Sequence, residues 1–223
     1  TIQSGIDAAV DGDTVLVEQG TYYENLIIQK SIHLLSRAVF DDLSTWMEYN
    51  DGYVVANQNI ANTIIDGSAD TNGEDFQSVL LINTPTRWHC TDDNNQEIYI
   101  SQDDCESNCE DEAECQALSD VGCVEPVIQG FTITGGGGTL VANEDGEQKV
   151  RGGGFLSNNA KPTFNYNLIT NNEGDIYSGG GGGVDDAVEL LSLSGYDWGN
   201  SNSCNSRDWM DMGYNAWGGN NAS

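Results

Sequence analysis

A chain of 223 residues is long enough for one sizeable core and requires no second independent domain. Its 36 acidic residues against 7 basic ones give a formal net charge of −29, which leaves no material for a basic patch and sets aside nucleic acid and anionic membrane surfaces as partners. No apolar run reaches the roughly 18 residues of a membrane-spanning helix, so membrane insertion is not expected. Charge of this size self-repels, which points to salty surroundings, to bound Ca²⁺, or simply to solubility.

In chain order, Ile2, Ile6, Ala9 and Val10 recur at helical spacing, and Asp11, Gly12 and Asp13 then break the helix before the β-branched run 14–17. Residues 20–35 hold two more brief β-type runs. Residues 38–61 read as a largely polar loop carrying Trp46, Met47 and Tyr49, after which strand texture returns at 62–67, 78–83 and 127–134. A body over 1–190 is interrupted at 84–125 by an acidic, cysteine-rich insertion. Within the insertion, 103–109 forms one short helix with Cys105 and Cys109 on one face. From about residue 191 to 223 the chain is a tail of Gly, Asn and Ser carrying aromatic residues, among them Trp198, Trp209, Tyr214 and Trp217.

A weak internal repeat runs through the body. Setting Pro126 against Pro162 aligns Ile128 with Phe164, Ile133 with Ile169, Thr134 with Thr170 and Gly135 with Asn171, without a gap. Glycines cluster at 135–138, 152–154 and 179–183. Repeats of this length signal units that bury their apolar faces only by stacking. Short Ile-, Val-, Thr- and aromatic-rich runs punctuated by Gly and Asn favour a β-solenoid over a helical one, with Val15, Val17, Ile32 and Leu34 pointing inward. The segments Thr1–Ala9, Gly12–Val17 and Gly20–Asn25, followed by Thr63–Gly67, Ile128–Gly135 and Gly152–Phe155, resemble the first helix and successive turns of the pectin-lyase-like superfamily. The resemblance covers about 1–37, 62–83 and 126–184 and implies an all-β, right-handed parallel β-helix with a short N-terminal capping helix. It leaves function open, because the superfamily spans lyases, hydrolases, adhesins and structural domains.

Six cysteines, Cys90, Cys105, Cys109, Cys115, Cys123 and Cys204, are an even count concentrated in a polar loop, which reads as disulfides in an oxidising compartment. A zinc site is the weaker rival, because no C-x₂-C pair is present and the nearby histidine is His89 alone. The chain opens without a charged-then-apolar leader, so a secretion signal is expected to have been removed or to lie outside this sequence.

Catalysis has only weak candidates. Lyases of the resembled fold combine carboxylate-held Ca²⁺ with a basic residue, and Lys149 and Arg151 are the nearest match, with a charge-balanced surface loop as the plainer reading. Hydrolases of that fold use sets of aspartates, for which Asp185 and Asp186 are the paired acids on a late turn, although neighbours on a strand face opposite sides. His33 and His89 suggest no nucleophilic triad, and the glycine runs lack the Lys-Ser/Thr of a phosphate loop. No organic cofactor is implied. Ca²⁺ is the expected ligand, with oxygen donors from Asp92, Asp93, Asp103, Asp104, Asn171, Glu173 and Asp175, none at EF-hand spacing. The tail aromatics either cover an open end of the stack, stack on surface glycans, or reach a neighbouring copy. These features favour an extracellular or cell-surface structural or adhesive protein, self-assembling head-to-tail into a fibre. The alternatives are a polysaccharide lyase or glycoside hydrolase, and a glycan-binding module.

Overall fold

The computed structural model describes residues 1–49, 53–69, 76–91, 98–99, 101–109, 114–118, 122–142, 148–158, 160–172, 181–182 and 216–218. The first helix, α1 (Ile2–Ala8), starts at Thr1, whose side chain accepts the Ser4 N–H. Its orphan groups are met from outside the helix. The Glu24 carboxylate accepts the N–H groups of Ile2 and Gln3 at 2.9 and 3.0 Å, and Lys30 Nζ donates to the carbonyls of Ile6, Asp7 and Ala9 at 2.7–3.0 Å. An anion at the N-terminus and a cation at the C-terminus both complement the helix dipole. Val10 lies beyond the helix and is 65 % exposed, because the Asp13 carboxylate accepts its N–H and turns the chain away.

Four strands follow: β1 (Thr14–Val17), β2 (Gly20–Tyr23), β3 (Leu26–Ile28) and β4 (His33–Ser36). The excursion after β4 opens with a 3₁₀ turn over Arg37–Phe40 and forms the hairpin β5 (Met47–Tyr49) and β6 (Tyr53–Val55), then α2 (Gln58–Asn62). The chain continues through β7 (Thr63–Asp66), β8 (Phe76–Gln77) and β9 (Leu80–Asn83) into the cysteine-rich insertion, built of β10 (Trp88–Cys90), α3 (Gln102–Asn108) and β11 (Cys115–Ala117). Beyond it come β12 (Val127–Gln129), β13 (Thr132–Thr134), β14 (Gly138–Ala142), β15 (Gln148–Arg151), β16 (Phe155–Asn158), β17 (Thr163–Asn165) and β18 (Leu168–Thr170). Two short segments complete the set, β19 (Gly181–Gly182) and β20 (Ala216–Gly218).

Three sheets share the main core. The first, β1-β4-β12-β17, and the second, β2-β7-β13-β18-β20, are wholly parallel, whereas the third, β19-β16-β9-β3, ends in an antiparallel pair. Three smaller sheets are antiparallel: β5-β6, β10-β11 and β15-β14-β8. This corrects the expected all-β, right-handed parallel β-helix. The described residues form separate open sheets interleaved with three α-helices, a mixed arrangement in which no sheet closes or runs on as a solenoid. The physical reason lies in the segments between strands. The excursion after β4 and the insertion after β9 make successive passes unequal, and corners break the ladder of backbone hydrogen bonds after three or four residues.

The internal repeat is nonetheless the strand register. Ile128 pairs with Phe164 and Ile133 with Ile169, the same partners that the gapless sequence alignment sets together. Alternation places Leu34, Ile65, Leu80, Ile82, Ile128, Ile133, Phe164 and Ile169 in the core, with the Phe155 and Phe164 rings 4.4 Å apart between centroids and tilted by 34°. Val17 and Ile32 are buried as expected, and His33 is an exposed strand residue.

Buried asparagines replace ladder hydrogen bonds at the corners. Asn167 accepts the Phe131 N–H at 3.0 Å and donates to the Ile128 carbonyl at 2.9 Å. Asn172 accepts the Gly136 N–H at 2.9 Å and donates to the carbonyls of Ile133 and Thr170, each at 3.1 Å. Asn25 donates to the carbonyls of Gly67 and Ser78 at 3.2 and 3.0 Å. Close backbone approach explains one glycine cluster, since a Cβ on Gly136 would collide with the Gly153 carbonyl oxygen.

Candidate functional site

The excursion over 38–61 is more than a polar loop. Ala38, Trp46 and Ile60 form a satellite core with Leu43, Met47, Val55, Tyr166 and Leu168, and Trp46 meets Tyr166 edge-to-face with ring centroids 5.9 Å apart. Local caps fix its geometry: Ser36 Oγ accepts the Ala38 N–H, the Asp42 carboxylate accepts the Ser44 N–H, and Asn57 Oδ1 accepts the Ile60 N–H to start α2. The excursion is thereby pinned beside the loop between β1 and β2.

An open cleft of about 470 Å³ lies between them, lined by Glu18, Gln19, Arg37, Phe40, Asp41 and Asn59. Asp41 Oδ2 accepts from both Asn59 Nδ2, at 2.7 Å, and Asn57 Nδ2, at 2.9 Å. Asn59 Oδ1 in turn accepts from Gln19 Nε2 at 2.8 Å. On the other wall Arg37 stands 3.7 Å from the Glu18 carboxylate, with its guanidinium 5.2 Å from the Phe40 ring centre. Phe40 remains 70 % exposed. The cleft thus combines planar amide and carboxylate groups, already oriented by one another, with an aromatic ring open to solvent.

The Asn59 amide, aided by that of Asn57, holds the Asp41 carboxyl below its ordinary range, and the backbone N–H of Ser44, aided by its side chain, does the same for Asp42. For a depressed carboxyl, the stabilisation is present above the ordinary carboxylate pKa and is lost as pH falls through the lowered folded value. NMR titration should therefore find the Asp41 midpoint below that of a free Asp. An Asp41 midpoint at or above the ordinary value would remove the amide clamp. A general acid needs a raised carboxyl pKa, and the shift at Asp41 runs the other way, so Asp41 does not suit the general-acid role of a hydrolase.

The second constellation is the cysteine cluster. The directly opposed residues Cys90 and Cys115 of the β10–β11 hairpin face Cys105 and Cys109 of the α3 segment, and the disulfides Cys90–Cys109 and Cys105–Cys115 join hairpin to helix. The expected short helix is present, one residue earlier than the sequence suggests. Cys123 is disulfide-bonded too, and none of the described cysteines is free. Cys90, Cys105 and Tyr99, with Trp88, Cys109 and Cys115 packed against them, give the insertion a small core of its own.

The other expected site residues are scattered. Asp103 and Asp104 are exposed on the first turn of α3, where the helix dipole favours acids. Asn171 is an exposed corner residue with φ 52°, and its carbonyl accepts the Gly135 N–H. Lys149 and Arg151 lie on β15 opposite Val141 and Thr139, with their side chains outside the described set. Trp217 sits on β20, paired with Ile169 of this chain's own β18, and its side chain is likewise not described. Asp92, Asp93, Glu173, Asp175, Asp185, Asp186, Trp198, Cys204, Trp209 and Tyr214 lie outside the described residues. Among the described residues, the one close group of metal-ligating side chains is the four cysteines.

Sequence reasoning missed the cleft. Its residues come from three stretches, around 18–19, 37–41 and 59, and each alone reads as an ordinary polar loop. The capping residues Ser36 and Asn57 were the available local signal, since they mark where the excursion turns. No family model, curated protein or solved structure matches this chain. The functional reading therefore rests on the geometry alone.

Proposed function

We propose that this protein is an extracellular adhesive module that holds neutral glycans in the cleft between Glu18 and Asn59. The observation that carries the reading is the pre-oriented row of Gln19, Asn59 and Asp41 beside the exposed Phe40 ring. Planar amides and carboxylates match the paired hydroxyls of a sugar, and the C–H face of a pyranose packs on an aromatic ring. A pocket built for an apolar ligand would instead be lined mostly by hydrophobic side chains. The net charge of −29, with Arg37 already turned to Glu18, disfavours polyuronates and other anionic polymers. The disulfides support an oxidising compartment.

Binding of a panel of neutral and acidic oligosaccharides, by array and then calorimetry, tests the reading. Neutral glycans should bind, and Asp41→Ala or Phe40→Ala should each weaken binding by about 10-fold or more, the loss of one charged hydrogen bond or one stacking surface. Binding that survives both substitutions, or a panel that shows binding only to acidic polymers, would place the site elsewhere.

A further inference from the structure

The four cysteines of the insertion lie closer together than two independent disulfides require. All four sulfurs are within 4.8 Å of one another. Sulfurs of different bridges approach to 3.6 Å, Cys105 to Cys109, through the spacing of one helical turn, and to 3.1 Å, Cys109 to Cys115. Four sulfurs at about 2.3 Å from a tetrahedral zinc ion lie about 3.8 Å from each other, so the cluster already has the size of a tetrathiolate site. Its scaffold is also suitable: two ligands from directly opposed strand residues, one from α3 and one from the residue that caps its C-terminus, with Cys90 and Cys105 buried and Cys109 and Cys115 partly so.

We infer that Cys90, Cys105, Cys109 and Cys115 form, in the reduced chain, a binding site for one soft divalent cation such as zinc. Two equivalents of a dithiol reductant supply four electrons and four protons, cleaving both S–S bonds to four thiols and leaving as two cyclic disulfides. The metal then displaces the four thiol protons, and four metal–sulfur bonds form. An insertion this small cannot hold a core unaided, and a metal–thiolate centre replaces the disulfides as its staple. The site is independent of the glycan cleft.

The test uses the full chain, reduced by a dithiol under anaerobic conditions, freed of reductant and titrated with Co²⁺. One Co²⁺ per chain is expected, with the intense visible bands of tetrahedral sulfur coordination and a thiolate charge-transfer band, both lost when Zn²⁺ is added. Cys109→Ser should lose the tetrathiolate spectrum, and Cys123→Ser should keep it. If reduction unfolds the insertion, far-ultraviolet circular dichroism should show Zn²⁺ restoring its helix and hairpin. Absence of tetrahedral bands, a spectrum unchanged by Cys109→Ser, or one abolished by Cys123→Ser would each overturn the assignment.

Discussion

Replacing Asn172 by alanine is expected to lower stability by about 3–5 kcal/mol, the cost of removing three side-chain hydrogen bonds to the backbone at one corner. The side chain satisfies the Gly136 N–H and the carbonyls of Ile133 and Thr170, and the residue itself is only 3 % exposed. Alanine leaves the buried Gly136 amide without its acceptor and takes one donor each from the Ile133 and Thr170 carbonyls. For a domain of this size the loss corresponds to a fall in thermal midpoint of roughly 10 °C, measurable by differential scanning calorimetry. Asn62→Ala is the contrast. Asn62 is exposed, its amide meets only the Gln58 side chain, and its replacement should change stability by no more than about 0.5 kcal/mol. Equal effects from the two substitutions would mean that the corner hydrogen bonds do not hold the strands together.

Phe164→Ala should be at least as damaging, with an expected loss of about 3–5 kcal/mol from the transfer term plus the cavity left behind. Phe164 is fully buried, stacks against Phe155 and stands in register with Ile128 in the first sheet. Strands of three or four residues contribute few core side chains each, so neighbours have little freedom to collapse into the gap. Phe164→Leu keeps most of the volume and should cost well under half as much. Chemical denaturation of both variants separates the cavity term from a general intolerance of substitution at this strand, because the latter would make leucine as harmful as alanine.

Much of the strand arrangement was legible in the sequence. The alignment of Ile128 with Phe164 and of Ile133 with Ile169 reappears as strand register, because partners on neighbouring parallel strands must present the same alternation to the same core. The opening helix and the short cysteine helix were legible for the same kind of reason, as local spacing and local caps define them. The uniform solenoid was an over-extension of that repeat, since the sequence pattern of the strands says nothing about how far the intervening segments separate one pass from the next. The asparagines were read as corner formers, whereas Asn167 and Asn172 act mainly by reaching backbone groups 36 positions earlier in the chain.

The sequence by itself therefore determined the strands of the repeating body and which side of each faces the core, that the chain is strongly acidic, and that five of its six cysteines lie in one insertion. Those are properties of composition and short-range periodicity, which a single segment carries alone. Only the tertiary structure decided that the sheets stay open and mixed, that Glu18 and Gln19 meet Arg37, Phe40, Asp41 and Asn59 across a cleft, and that four cysteines converge on one point. The reason is physical: each of those outcomes depends on where two or more separate segments are held relative to one another, and the packing of Trp46 against Tyr166 or of α3 over the β10–β11 hairpin sets that placement.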